Sequence, residues 1–186
     1  MALIIETGAI VANADSWATL AEANAYAIAI GNLAWEDLDD EEVKEPALRV
    51  AAQYLNYRWR ANWRGFLVRP LDDTSGNLAQ RLAWPRVNAW LDEGFYFPSD
   101  QIPVEVQYAQ IEYAIQASAS GLLLSPTPAL DSSGRLVTRQ TTIVGPLEET
   151  FEYAQSSAIA VATVRPYPKA DAMVARWLKP TGGSYR

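Results

Sequence analysis

The 186-residue chain contains no cysteine and no histidine. The first absence excludes a disulfide framework, a thiolate nucleophile and any cysteine-based zinc site. The second removes the usual general base and the commonest metal ligand, and with them a Ser-His-Asp triad. Carboxylate-only chemistry survives these exclusions, so a carboxylate-based hydrolase stays open as a remote option. The expectation is a protein that is not an enzyme and that holds no cofactor or metal. No window approaches the roughly 18 to 20 uncharged apolar residues of a membrane span. The opening "MALIIETGAIVANADSW" lacks the basic and long apolar regions of a signal peptide, so a protein made or assembled in a cytoplasm is expected. Neither a G-x-G-x-x-G nor a P-loop pattern occurs, which leaves nucleotide binding without support.

What is present is a chain with 49% hydrophobic residues, enough for a real core in one domain or one domain plus an arm. The net charge of -7 is unevenly spread. Residues 1–45 hold ten acids against one lysine, whereas residues 46–91 hold seven arginines against two aspartates. Residues 92–164 are acidic again, and residues 165–186 hold five cations against one acid. Such asymmetry suits a chain that meets charged partners, and equally one whose charged faces balance within the fold.

The pattern predicts a mainly α fold: a small helical bundle with a short β-hairpin element and an extended C-terminal arm. Thr19 and Glu22 form a T-x-x-E capping box for a helix over about 19–30, with Gly31 as its stop. The acids from Glu36 to Glu45 suit the N-terminal end of a second helix over about 45–59, with Pro46 in its first turn. "ALIIE" and "AIVAN" read as short extended pieces, "LDDTSGN" as a surface loop and "NLAQRLAW" as a short helix. "IPVEVQYAQIEYAIQASASG" reads as a helix from Pro103 to Gly121, apolar nearly all round and therefore buried centrally or between subunits. After a Ser-Pro-Thr-Pro linker, "GRLVTRQTTIVGPLEETFEYA" reads as a hairpin broken at Gly145-Pro146. "AIAVATV" is open between strand and helix, and "PKADAMVARWLKP" reads as a short terminal helix before a flexible "TGGSYR". These elements group as residues 1–124, a helical core; 125–164, linker and hairpin; and 165–186, terminal helix and arm.

Three stretches carry candidate contacts. "YRWRANWRGF" interleaves arginine with aromatics, the combination that single-stranded nucleic acid sites use, so Arg58, Arg60, Trp63 and Arg64 are candidate DNA contacts. The competing explanation places Trp59 and Trp63, four apart, in the core with the arginines snorkelling outward. "RLAWPRVNAWLDEGFYFPSDQIP" is too aromatic for a linker and too rich in proline for one helix. It reads as a rigid connection that sets one helix against another and contributes to a subunit interface, with Trp84, Arg86, Trp90, Tyr108 and Tyr113 as the candidate residues. The C-terminal stretch sets Arg165, Lys169, Arg176, Lys179 and Arg186 beside Tyr167, Trp177 and Tyr185, the composition of an interface anchor. There the competing explanation is that Trp177 and Leu178 pack the terminal helix onto the chain's own core. The adjacent acids Asp72-Asp73 and Glu148-Glu149 could hold a divalent cation, but such pairs in loops are usually just solvated.

With its neighbours, "LAWPR" resembles a family of tailed-phage proteins labelled DnaT-like single-stranded DNA-binding proteins, which look like head-tail adaptors of the phage neck. The matching residues are "ADSWATLAEANAY", "WRG" at 63–65, "QRLAWPR" at 80–86, Gly94, "IP" at 102–103, Ala109 and Glu112. They continue with "VGPLEETFEY" at 144–153 and "YPKADAMVARWL" at 167–178, so the resemblance covers nearly the whole chain. It implies a structural virion protein that forms a ring of about twelve copies in the neck, assembled in the host cytoplasm. That ring would lie between the portal and a stopper or tail-terminator protein, with genomic double-stranded DNA passing through. It implies portal contact by Arg165, Tyr167, Lys169, Arg176, Trp177, Lys179, Tyr185 and Arg186. The family label implies single-stranded DNA binding instead. A sequence pI of about 4.6 opposes a dedicated binder, because phosphate neutralisation supplies most of such affinity. An acidic wall suits a conduit that must not hold DNA.

Overall fold

Thr19 and Glu22 close the first helix at its N-terminus as the spacing predicts: the Thr19 hydroxyl accepts from the Glu22 amide, and the Glu22 carboxylate accepts from the Thr19 amide. The computed structural model describes residues 2–68, 80–91, 94–119, 137–142, 149–153 and 167–179, the two strand segments 137–142 and 149–153 by backbone alone. The chain divides into two units, Met1–Leu124 with Tyr167–Arg186, and Ser125–Pro166.

The first unit is helical. Helix α1 spans Leu20–Ala29 and α2 Leu33–Glu36, the latter capped by the Asn32 side chain. A π-helical turn, Asp40–Lys44, is capped by Asp39 and runs directly into α3, Glu45–Arg58. Pro46 sits in the first turn of α3, where the missing N–H costs no intrahelical bond. Helix α4 spans Val104–Ala119 and α5 Pro168–Ala175. Between α3 and α4, the two-residue strands β1, Phe66–Leu67, and β2, Arg86–Val87, pair antiparallel.

Helix α4 is the centre of this unit, packed against α3 and α5 and touching α1. Val104 and Tyr108 stay exposed and Ile115 half-buried, whereas Val106, Ala109, Ile111, Tyr113, Ala114 and Ala117 are buried within the chain. Gln110 is buried with them and uses its whole amide. Its Oε1 accepts from the Trp17 and Ala18 amides at 2.9 and 3.1 Å, and its Nε2 donates to Ser16 Oγ and Leu48 O at 2.7 and 2.9 Å. That single side chain ties the N-terminal segment to both α3 and α4.

Several expectations need correction. Of the two N-terminal pieces, the second is not extended throughout, since Ile10 and Asn13 have φ of 58° and 60°, and one parallel bridge joins Ile5 to Ser16. The buried Glu6 carboxylate instead gathers the amides of Gly8, Ile10 and Val11, which competes with strand pairing. Residues 80–84 are not helical. Gln80 is buried and bonds the Val68 amide and the Leu82 and Pro85 carbonyls, drawing the backbone into a bend before β2. The terminal helix is no separate arm, because α5 packs on α4 and belongs to the helical unit.

In the second unit β3, Val137–Thr142, pairs antiparallel with β4, Glu149–Tyr153, with a register shift between Val137 and Arg139. The expected hairpin is therefore present. The expected features at "LDDTSGN", Gly121, the Ser-Pro-Thr-Pro linker, Gly145-Pro146, "AIAVATV" and "TGGSYR" lie outside the described residues.

Candidate functional site

Residues 57–66 leave α3 and turn through Gly65 into β1, so one short segment supplies both core and surface side chains. Trp63 is fully buried and meets Trp84 edge-on at 6.0 Å. Trp84 in turn meets Trp177 at 5.3 Å and Phe97 at 5.8 Å. Arg64 is buried beneath Trp90: its Nε donates to Leu178 O at 2.9 Å, its Nη1 to Trp90 O at 3.1 Å, and its guanidinium lies 4.5 Å from the Trp90 ring centre. Arg58 donates to Asp171 at 2.8 Å and to the Tyr54 hydroxyl, and lies over the Trp59 ring at 4.8 Å. Of the four candidate DNA contacts, Arg60 alone is exposed. The other three are corrected to structural roles, because indole area and guanidinium stems are worth more in this core than in water.

The candidate interface residues fare similarly. Trp84 and Tyr113 are fully buried in their own chain, and Arg86 is buried but for a small part. Trp90 is half-buried over Arg64, and Tyr108 is exposed, its ring tilted against Tyr26 at 4.9 Å. Arg86 donates to three carbonyls, those of Arg64, Ala83 and Gly65, at 2.7, 3.0 and 2.8 Å. Burial lowers its pKa to about 10. This guanidinium is a rivet between β1 and β2.

In the terminal segment, Trp177 belongs to the aromatic core, with only 2% of its surface exposed. Lys169 pairs with Glu112, Arg176 with Glu105 at 3.5 Å, and the Lys179 amide donates to Asn62 O at 2.6 Å. Tyr167 is half-buried against Tyr54 and Tyr113. Of the expected anchor, Trp177 is packed into the chain's own core and Tyr167 is half-buried, whereas Lys169, Arg176 and Lys179 are exposed. Arg165, Tyr185 and Arg186 lie outside the described residues.

What the segment leaves on the surface is a groove of about 620 Å³. Tyr57 and Phe66 stand on it with 69% and 68% of their surface exposed, Arg60 and Arg81 flank it, and Gln80 and Arg86 lie in its lining. Gly65 is essential to the shape: its φ is +70°, and a Cβ there would collide with the Val87 carbonyl oxygen. Tyr57, Phe66 and Arg81 were missed from sequence, although a signal existed. Trp59 and Trp63 are four apart and Tyr57 and Arg60 three apart, so helical spacing separates an inward pair from an outward one.

At the other end of α3 the charge is negative. Glu36, Asp37, Asp39, Asp40 and Glu42 are exposed around the π-helical turn, whereas Glu45 is drawn in to pair with Arg49 at 3.2 Å. The second acidic stretch, Asp92 to Glu112, makes no such edge among its described residues. Its Glu112 is buried and accepts from the Tyr26 hydroxyl at 2.6 Å, and its Glu105 pairs with Arg176. Burial, and then the hydrogen bond to Glu112, raise the Tyr26 pKa well above the ordinary phenol value. Burial, and then Asp171, do the same for Tyr113.

Among the described residues, no three carboxylates come together to hold a metal ion. Asp72, Asp73 and Glu148 lie outside those residues, and Glu149 is described by its backbone. No helix among the described residues is long and apolar enough to cross a membrane.

Fold and surface together define a small, mainly α-helical protein with an aromatic, cationic groove at one end of α3 and an acidic edge at the other. Over residues 1–186 the chain matches the model of the family described as "Putative DnaT-like ssDNA binding protein", and it belongs to that family. No curated protein and no solved structure matches it.

Proposed function

We propose that this protein is a structural head-tail adaptor of a tailed phage, without catalytic activity. Copies would form a ring in the virion neck between the portal and the stopper or tail terminator, assembled in the host cytoplasm, with genomic double-stranded DNA passing through. The observation that carries the reading is the use of the cationic segment. Arg58, Arg64 and Arg86 are bonded inside the fold, while Glu36, Asp37, Asp39, Asp40 and Glu42 are exposed. Cations bonded inside the fold are not available to hold a polyanion, which suits a protein that DNA passes without tight binding. The residue-level resemblance to neck adaptors supports the same reading.

A second reading, single-stranded DNA binding, is favoured by one observation and by the family's description. Tyr57 and Phe66 offer exposed rings for base stacking beside Arg60 and Arg81. One pair of measurements separates the two. Mass photometry of the protein with portal-bearing heads reports ring formation, and anisotropy of a fluorescent single-stranded oligonucleotide reports binding at physiological salt. The adaptor reading expects rings and weak binding. Submicromolar binding lost in Tyr57→Ala/Arg60→Ala, without rings, would overturn it in favour of the second reading.

A further inference from the structure

We propose that the groove of Tyr57, Arg60, Phe66 and Arg81 receives the acidic edge of a second copy of this chain, so that copies join head to tail. The inference rests on the ring reading and names the surfaces that would build it. Three observations lead to it.

The first is position. The groove takes Asn56, Tyr57 and Arg60 from the C-terminal end of α3, and the acidic edge leads into its N-terminal end. The 14 residues of α3 hold the two surfaces about 20 Å apart on one rigid element. Surfaces at opposite ends of a helix cannot meet within a chain, but they can meet between chains.

The second is chemistry. The edge exposes Leu33 and Glu36 one turn apart in α2, with Glu42 exposed in the π-helical turn, and the groove sets exposed Tyr57 and Phe66 with Arg60 and Arg81. Apolar meets aromatic, and carboxylate meets guanidinium, the pairing that arginine's planar fork favours. Arg81 makes only a long 3.4 Å bond to Asn13 O, so little must be broken to recruit it.

The third is symmetry. A two-fold contact through either surface would set arginine against arginine or acid against acid, which like-charge repulsion disfavours. The complementary contact pairs the groove of one copy with the edge of another. With these surfaces at opposite ends of α3, each copy can hold a different neighbour at each end. Such a heterologous contact propagates until it closes as a ring.

The test uses two full-length variants, the groove variant Arg60→Glu/Arg81→Glu and the edge variant Glu36→Lys/Glu42→Lys. All four side chains are exposed, so circular dichroism should match wild type for both. Sedimentation velocity should show wild-type assembly, and each variant alone should need at least about tenfold more protein to assemble. An equimolar mixture should assemble as wild type does, because the acidic groove of one variant meets the basic edge of the other, and the unchanged groove of the second meets the unchanged edge of the first. That rescue excludes misfolding as the cause of either defect. Wild-type protein that stays monomeric at its highest soluble concentration overturns the interface, as does a mixture without rescue. Closed dimers as the largest species, formed by both surfaces at once, would overturn the head-to-tail arrangement. Rings indifferent to both variants overturn the interface while leaving the adaptor reading in place. Monomers that bind a single-stranded oligonucleotide through Tyr57 overturn both.

Discussion

The Arg58 guanidinium donates to the Asp171 carboxylate at 2.8 Å across a sequence separation of 113 residues. The same carboxylate accepts from the Tyr113 hydroxyl and from the Tyr167 amide at 3.0 Å. One acid in α5 thereby joins the end of α3, the middle of α4 and the entry to its own helix. This hub, with Trp177, is why the terminal segment behaves as core.

Replacing that acid tests the docking. Asp171→Ala leaves a partly buried guanidinium and a buried hydroxyl without their acceptor, and should cost about 2–4 kcal/mol. Urea denaturation measures the loss, and hydrogen exchange should quicken first in α5. A change under about 0.5 kcal/mol would mean that the ring contacts alone hold the helix.

Gln110 makes a second test, because its four bonds join three parts of the chain. Gln110→Leu keeps much of the volume but takes the acceptor from the Trp17 amide, while Ser16 Oγ and the Ala18 amide keep their bond to each other. A loss of about 1–3 kcal/mol is expected from thermal or urea unfolding.

The assignment of core and surface within residues 57–66 gives opposite outcomes for neighbouring residues. Trp63→Ala should destabilise by about 3–5 kcal/mol, as large cavities do. Arg60→Ala and Tyr57→Ala should stay within about 0.5 kcal/mol of wild type. Equal losses at all three positions would contradict the placement of the groove.

Stability should fall in alkali. Tyr26, Tyr54 and Tyr113 all have folded-state pKa values raised above the ordinary 10.0, chiefly by burial. Their contribution is complete below pH 10.0 and is lost as pH rises above it, because unfolding then releases phenolic protons. Arg86 opposes them: its pKa falls from 12.5 to about 10, so the cost of burying its charge is relieved between those values. Three tyrosines against one arginine leave a net decline. Urea midpoints at increasing pH should drop from near pH 10, and Tyr113→Phe should flatten the slope.

The helices could be read from the chain because their signals are local. The Thr19–Glu22 box and Pro46 in the first turn of α3 act over a few residues, and so do the elements they set. Fold class, the absence of histidine and cysteine chemistry, and the division of charge were determined at that level. The site was not. Aromatic and arginine residues have the same composition in a core as at an interface, and only the packing of α5 and the 80–103 connection against α3 and α4 decides between them. Trp63, Arg64, Trp84 and Trp177 went inward because residues more than twenty positions apart could bury one another. Tyr57, Arg60, Phe66 and Arg81 were left outside by the same event, since burial of one set of side chains is what defines the surface for the rest.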